Sequence, residues 1–123
     1  MNFRLLRLNV LLLFFVTSCG PQIPELKQIN LKEWKSDKLG CNGTRAKSVE
    51  TLQSQKKVLL GLTEMEIVTT LGKPDVKELG KRNQKFFRYL LEPGIACSDS
   101  AAAPRKLIVR FNAVGRAKEI TIE

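Results

Sequence analysis

Two hydrophobic rhythms divide the chain. From Arg45 to Leu60 the apolar positions recur at helical spacing. Ala46, Val49, Leu52, Leu59 and Leu60 fall on roughly one face, and Lys47, Glu50, Gln53 and Lys57 fall largely elsewhere. Lys56 sits close to the stripe. Gly61 then allows a turn into a second, shorter helix. Thr63 stands at its N-cap and Glu66, three residues on, completes a capping box, with Leu62 and Ile67 at the two positions of a hydrophobic staple. Ile67, Val68 and Leu71 form the stripe to be buried. Gly72 suits a left-handed C-terminal residue and Pro74 stops the helix. Past Pro74 the period changes to two. Phe87, Tyr89 and Leu91 alternate with Arg88 and Leu90. Leu107, Val109 and Phe111 alternate with Lys106, Ile108 and Arg110, and Ile120 and Ile122 with Glu119 and Thr121. Asn112 to Arg116, with Gly115, is a tight hairpin between the last two strands. Val76–Leu79 is a candidate fourth strand, turned at Gly80 to Asn83. Residues 93–104 read as a longer loop containing Cys97, and residues 31–43, with Trp34, Gly40 and Cys41, as an irregular segment.

Helix, helix, then strands predicts an α+β domain over residues 31–123. Two helices cover one face of a small antiparallel sheet of three or four strands, in two layers. The other face is left open to water. With Phe87 and Val109 inward, Arg88 and Arg110 point outward on that face. Lys85, Lys106, Arg116 and Lys118 border them, and Leu90 and Ile108 share the surface. Such a face suits an acidic partner protein or an anionic lipid head group. The plainer reading is solvated charge that keeps a small protein soluble.

The first residues carry a different signal. Arg4 and Arg7 precede an apolar run from Leu8 to Val16 that is too short to span a bilayer. A basic start, a short apolar core and small residues describe a secretory leader. Val16-Thr17-Ser18-Cys19 resembles the lipobox of bacterial lipoprotein precursors. That resemblance implies a signal peptide over residues 1–18 and acyl chains on Cys19. Each buried methylene contributes about 0.8 kcal/mol, so two or three chains hold a protein on a membrane where one does not. An ordinary signal peptide with an incidental cysteine is the competing reading. Losing Arg4 and Arg7 with the leader takes the formal charge from +9 to +7. Residues 19–30, opening with Gly20-Pro21 and Pro24, read as a tether. Gly20, rather than an aspartate, after the cysteine is compatible with outer-membrane sorting in enteric-type bacteria.

The chain has three cysteines. With Cys19 acylated, Cys41 and Cys97 remain, and in an exported protein an even remainder suggests a disulfide. Two free thiols are the alternative.

"GLTEMEIVTTLGKPD", the aromatic strand "FFRYLL" and "KLIVRFNAVGRAKEITI" together resemble the SmpA/OmlA family of small outer-membrane lipoproteins. The matching positions are Gly61, Thr63, Leu71, Gly72, Pro74, Tyr89, Phe111, Asn112 and Gly115, within about residues 60–122. The resemblance implies a two-helix, three-stranded lipoprotein that assists the β-barrel assembly machinery. Cys41, Cys97 and "LEPG" at Leu91 to Gly94 depart from that pattern and mark a divergent branch. The matched residues are mostly caps, turns and core, and they speak to fold more than to task.

The chemistry points away from catalysis. There is no histidine, so the commonest general base and metal ligand is missing, and no metal, nucleophile-elbow or phosphate-loop motif is present. Glu64 and Glu66 are accounted for by the helix N-terminus they occupy. No catalytic residue, metal or cofactor is expected. An exported protein would not normally meet nucleic acid. The expectation is a non-enzymatic lipoprotein, bound to membrane lipid through Cys19 and to an envelope protein. It would face the periplasm and act in outer-membrane barrel assembly or envelope maintenance. The alternative is an inhibitory or ligand-binding lipoprotein of the same fold.

Overall fold

The computed structural model describes residue 20, residues 23–99 and residues 102–123. Cys19 and the proposed leader lie outside the described residues. The domain is α+β: among those residues four helices precede a four-stranded antiparallel sheet. The helices are α1 (Leu31–Ser36), α2 (Thr44–Lys47), α3 (Val49–Gln55) and α4 (Glu64–Leu71). The strands, in spatial order, are β1 (Val76–Leu79), β2 (Lys85–Leu90), β3 (Lys106–Phe111) and β4 (Ala117–Ile122).

The helical layer is more broken than its periodicity predicts. The expected irregular segment contains α1, which starts where the Asn30 side chain accepts the Glu33 amide at 3.2 Å. The single helix expected over 45–60 is instead α2, α3 and one 3-10 turn, Lys56–Leu59. The hydroxyl of Ser48, at the first break, donates back to the Thr44 carbonyl at 3.2 Å, a bond that bends helices. At the second break Gln55 spends its side chain elsewhere. It accepts the Lys27 amide at 2.7 Å and donates to the Lys27 carbonyl at 2.6 Å. This pairing draws the preceding segment inward, so Leu26 and Ile29 are buried. The core therefore reaches into the stretch read as tether. Leu60, expected on the apolar stripe, is exposed.

Helix α4 follows its sequence signals at the start. Thr63 Oγ1 accepts the Glu66 amide at 3.2 Å, Glu66 Oε1 accepts the Thr63 amide at 3.1 Å, and Leu62 and Ile67 are both buried. Its end differs in detail. Gly72 has φ 85° and ψ −179°, a conformation open to glycine rather than the left-handed helical one. The carbonyls at this end, which no helical turn satisfies, find donors from elsewhere. Lys35 Nζ donates to Thr69 at 2.8 Å, Trp34 Nε1 to Leu71 at 3.1 Å and Tyr89 Oη to Gly72 at 2.8 Å.

Sheet registers place Phe87 opposite Val109 and Val109 opposite Ile120. Period-two alternation then buries Phe87, Tyr89, Leu107, Val109, Phe111 and Ile120 against Trp34, Leu52, Leu59, Ile67 and Leu71. Phe87 and Phe111 meet edge to face, with ring centroids 4.7 Å apart. The hairpin between β3 and β4 is closed by Gly115 (φ 79°), whose amide donates to the Asn112 carbonyl at 3.0 Å. Next to it the register shifts between Arg110 and Phe111, where Lys118 is the extra residue of a bulge in β4. The Gly61 amide donates to the Ala117 carbonyl and the Ala117 amide to the Leu62 carbonyl, each at 2.8 Å, so the turn before α4 is tied to β4.

Candidate binding face

On the solvent side of the sheet, alternation sets Val76 and Glu78 beside Phe86, Arg88 and Leu90, then Lys106, Ile108 and Arg110, then Glu119 and Thr121. The two arginines read from the sequence do share this face, but neither is a bare charge. Arg88 Nη1 lies 3.0 Å from Glu78 Oε2, and its guanidinium lies over the Phe86 ring at 5.9 Å. Arg110 Nη2 lies 3.0 Å from Glu119 Oε2. Their side chains are only 27 % and 24 % exposed. Lys106 is half-buried on the same surface, its backbone paired with Glu123. Lys118 is the extra residue of the bulge and is exposed next to Glu119.

Two other cations belong elsewhere. Arg116 Nη1 donates to the Gly61 carbonyl at 3.0 Å and so braces the turn before α4. Lys85 pairs with Glu64 at 3.2 Å on the helix side of the sheet. The face is thus a mixed surface of arginine–glutamate pairs with Phe86, Leu90 and Ile108 between them. Of the cations expected to border the arginines, Lys85 and Arg116 lie off this surface.

Cys41 and Cys97 are disulfide-bonded, with Cα atoms 5.8 Å apart and a sequence separation of 56. The bond sits beside a tight contact. A Cβ on Gly40 (φ 65°) would lie 2.8 Å from the Glu92 amide nitrogen, so only glycine lets the two backbones meet. The base of the loop that carries Cys97 is clasped by Glu92 and Arg105. The Arg105 amide donates to Glu92 Oε2 at 3.2 Å and its Nε to Oε1 at 2.6 Å. Those bonds, the backbone amide first, hold the Glu92 carboxyl below its usual range.

Sequence reasoning missed the most connected group of all. Arg45 and Asp37 are buried, and Arg45 Nη1 lies 2.6 Å from Asp75 Oδ2. Arg45 Nε donates to the Trp34 carbonyl at 3.0 Å, and its guanidinium lies 5.2 Å from the Trp34 ring and 5.8 Å from the Tyr89 ring. Asp37 accepts the amides of Asn42 at 2.6 Å and Arg45 at 2.9 Å. Asp75 also accepts the amides of Leu39 at 3.0 Å and Leu90 at 2.8 Å, while Arg45 donates to the Leu90 carbonyl at 3.2 Å. β1 cannot extend to pair with Leu90, because Pro74 has no N–H to give. The Asp75–Arg45 pair takes both backbone groups of Leu90 in its place. Burial pushes the nearby Tyr89 hydroxyl up, with Arg45 opposing and Asp75 adding to the shift. Nothing in the helical pattern marks Arg45 as internal. The one available signal is Asp75, an acid placed directly after a helix-stopping proline.

Fold and face define a small disulfide-bridged two-layer domain, one sheet face covered by helices and the other presented to solvent. Among the described residues no group of three or more His, Cys, Asp or Glu side chains is placed to hold a metal ion, and no helix is long and apolar enough to cross a membrane. Compared with known protein families, characterised proteins and solved structures, the chain has no match.

Proposed function

We propose that this chain is an exported lipoprotein. It is a non-enzymatic protein-binding module held on the membrane through Cys19, and it acts in outer-membrane β-barrel assembly or envelope maintenance. The observation that carries the reading is the pairing of Cys41 with Cys97. Disulfides of this kind persist in oxidising compartments outside the cytoplasm. The pairing also leaves Cys19, at the end of Val16-Thr17-Ser18-Cys19, as the one remaining cysteine of the chain. The barrel-assembly role rests on the resemblance to the SmpA/OmlA pattern. An open sheet face with Phe86, Leu90 and Ile108 among paired charges is in keeping with protein contact rather than catalysis.

Two measurements test this. Radiolabelled palmitate fed to cells is expected to enter the wild-type chain and not Cys19→Ala. Gentle solubilisation of the membranes is expected to recover the chain with a component of the barrel-assembly machinery. Label in both forms overturns the anchor. Clean absence of any such component moves the function to inhibition or ligand binding on the same scaffold.

A further inference from the structure

We infer that the free edge of β1 is a strand-addition site for an extended, acidic segment of a partner protein. The site is separate from the open sheet face, and it depends neither on acylation nor on a role in barrel assembly.

Strand β1 is at one end of the sheet, and all four of its residues are exposed. Its hydrogen-bonding direction follows from its neighbours. The Leu91 amide donates to the Arg105 carbonyl at 2.9 Å, so the odd residues of β2 point their backbone groups at β3. The even ones, Phe86 and Arg88, then point theirs at β1, where their partners are Glu78 and Val76. The Gly80 amide, bonded to the Gln84 carbonyl at 2.7 Å, has the same parity. Lys77 and Leu79 therefore present their amide and carbonyl groups outward, as a short template for another strand.

The side chains around this template select the occupant. Leu79 is 74 % exposed and Val76 43 %, which gives an incoming strand apolar contact. On the helix side, beside Leu79, a hollow of about 330 Å³, lined in part by Lys77, Leu79, Phe87 and the Lys85–Glu64 pair, has room for a side chain of that strand. The charge is one-sided. Asp75, Glu78 and Glu64 are already paired, with Arg45, Arg88 and Lys85. Lys73, Lys77, Lys81 and Arg82 surround the edge and make no ion pair among the described residues. Two copies of this chain joined by their β1 edges would set these cations against each other, on molecules of formal charge +9 with residues 1–18 and +7 without them. A strand carrying acidic side chains meets these cations, and an apolar side chain on its helix-side face has the hollow beside Lys77 and Leu79 to enter. The same lysines thus reject self-association and admit an acidic partner.

The test uses the chain as isolated from cells and a blocked six-residue peptide alternating valine and glutamate. A valine–lysine peptide is the control. Amide hydrogen exchange is read residue by residue. The acidic peptide is expected to slow exchange at Lys77 and Leu79 by about tenfold while Val76 and Glu78 are unchanged, and the lysine peptide to do neither. Leu79→Pro removes an outward N–H without touching the ladder to β2, and it is expected to abolish the protection. Lys73→Glu/Lys81→Glu, which disturbs no hydrogen bond of the fold, is expected to weaken peptide binding about tenfold, equal to ~1.4 kcal/mol. No protection at Lys77 and Leu79, an equal response to the lysine peptide, or undiminished binding to the double glutamate variant overturns the inference.

Discussion

Arg45 carries a full charge into the middle of the molecule, where it meets the Asp75 carboxylate and the carbonyls of Trp34 and Leu90. Taking an ion pair out of water costs several kcal/mol per charge, and the Arg45–Asp75 pair recovers that cost through further hydrogen bonds, from Arg45 to the Trp34 and Leu90 carbonyls and to Asp75 from the Leu39 and Leu90 amides. Removing one partner leaves the other buried and uncompensated. Arg45→Met keeps much of the side-chain volume, yet it exposes Asp75 to an apolar surrounding and frees the Leu90 carbonyl. The expected loss is about 3–5 kcal/mol of unfolding free energy, read as a lowered urea midpoint with the slope retained. A change below the error of that measurement would mean that water reaches Asp75 and the pair is not dry. This residue also shows where a sequence stops being legible. A charged residue within an amphipathic helix reads as solvent-facing, and only the three-dimensional placement of Asp75 and Leu90 makes burial affordable. The two open-face arginines show the same limit from the other side. Their direction follows from strand alternation, but their pairing with Glu78 and Glu119 depends on neighbouring strands and registers.

Elements were legible in proportion to how local their causes are. Helix α4 is specified within its own residues by a cap, a staple, a stripe and a proline, and the structure has each of them. The strands β2, β3 and β4 announce themselves by period two, and β1 by its apolar ends. Helix α1 was missed although Asn30 and Glu33 stand at capping spacing, because the apolar stripe behind them is only Leu31 and Trp34. The break between α2 and α3 was missed because its causes, Ser48 bonding backwards and Gln55 reaching to Lys27, are side-chain contacts with no periodic trace. One element carries a local conflict. The β1–β2 turn places Arg82 and Asn83 at φ 59° each, and the Gln84 amide closes it onto the Lys81 carbonyl at 3.3 Å. Two positive φ values in a hairpin turn are the demand of a type I′ turn, which Asn-Gly meets best. Arginine in that region costs about 1–2 kcal/mol relative to a residue that tolerates it. Arg82→Asn/Asn83→Gly is therefore expected to stabilise the domain by about 1 kcal/mol, seen as a raised urea midpoint. Destabilisation would mean that the arginine side chain contributes more than its backbone strain costs.

For the whole molecule, the decisive constraint is the bond between Cys41 and Cys97. The element order already implied two layers, but it did not say how the segment before the helices is held down. Leu26 and Ile29 enter the core through Gln55, and the turn around Gly40 packs onto the Glu92 backbone beside the disulfide. The bond closes a span of 56 residues that runs from ahead of α2 to the loop after β2. On the chain-entropy account a loop of that size is worth about 4 kcal/mol, a large share of the stability of a domain this small. Cys41→Ala/Cys97→Ala is expected to lose about that much in urea unfolding. The loss should appear first as increased hydrogen exchange at Leu39–Cys41 and Glu92–Cys97, while α4 and the β3–β4 hairpin, which do not depend on the bond, stay protected longest. Cys19→Ala should leave the unfolding midpoint unchanged, since Leu26 is the first buried apolar residue among those described. If the double alanine variant unfolds at the wild-type midpoint, the disulfide is dispensable to this fold. The exported location would then have to rest on the Val16–Cys19 motif alone.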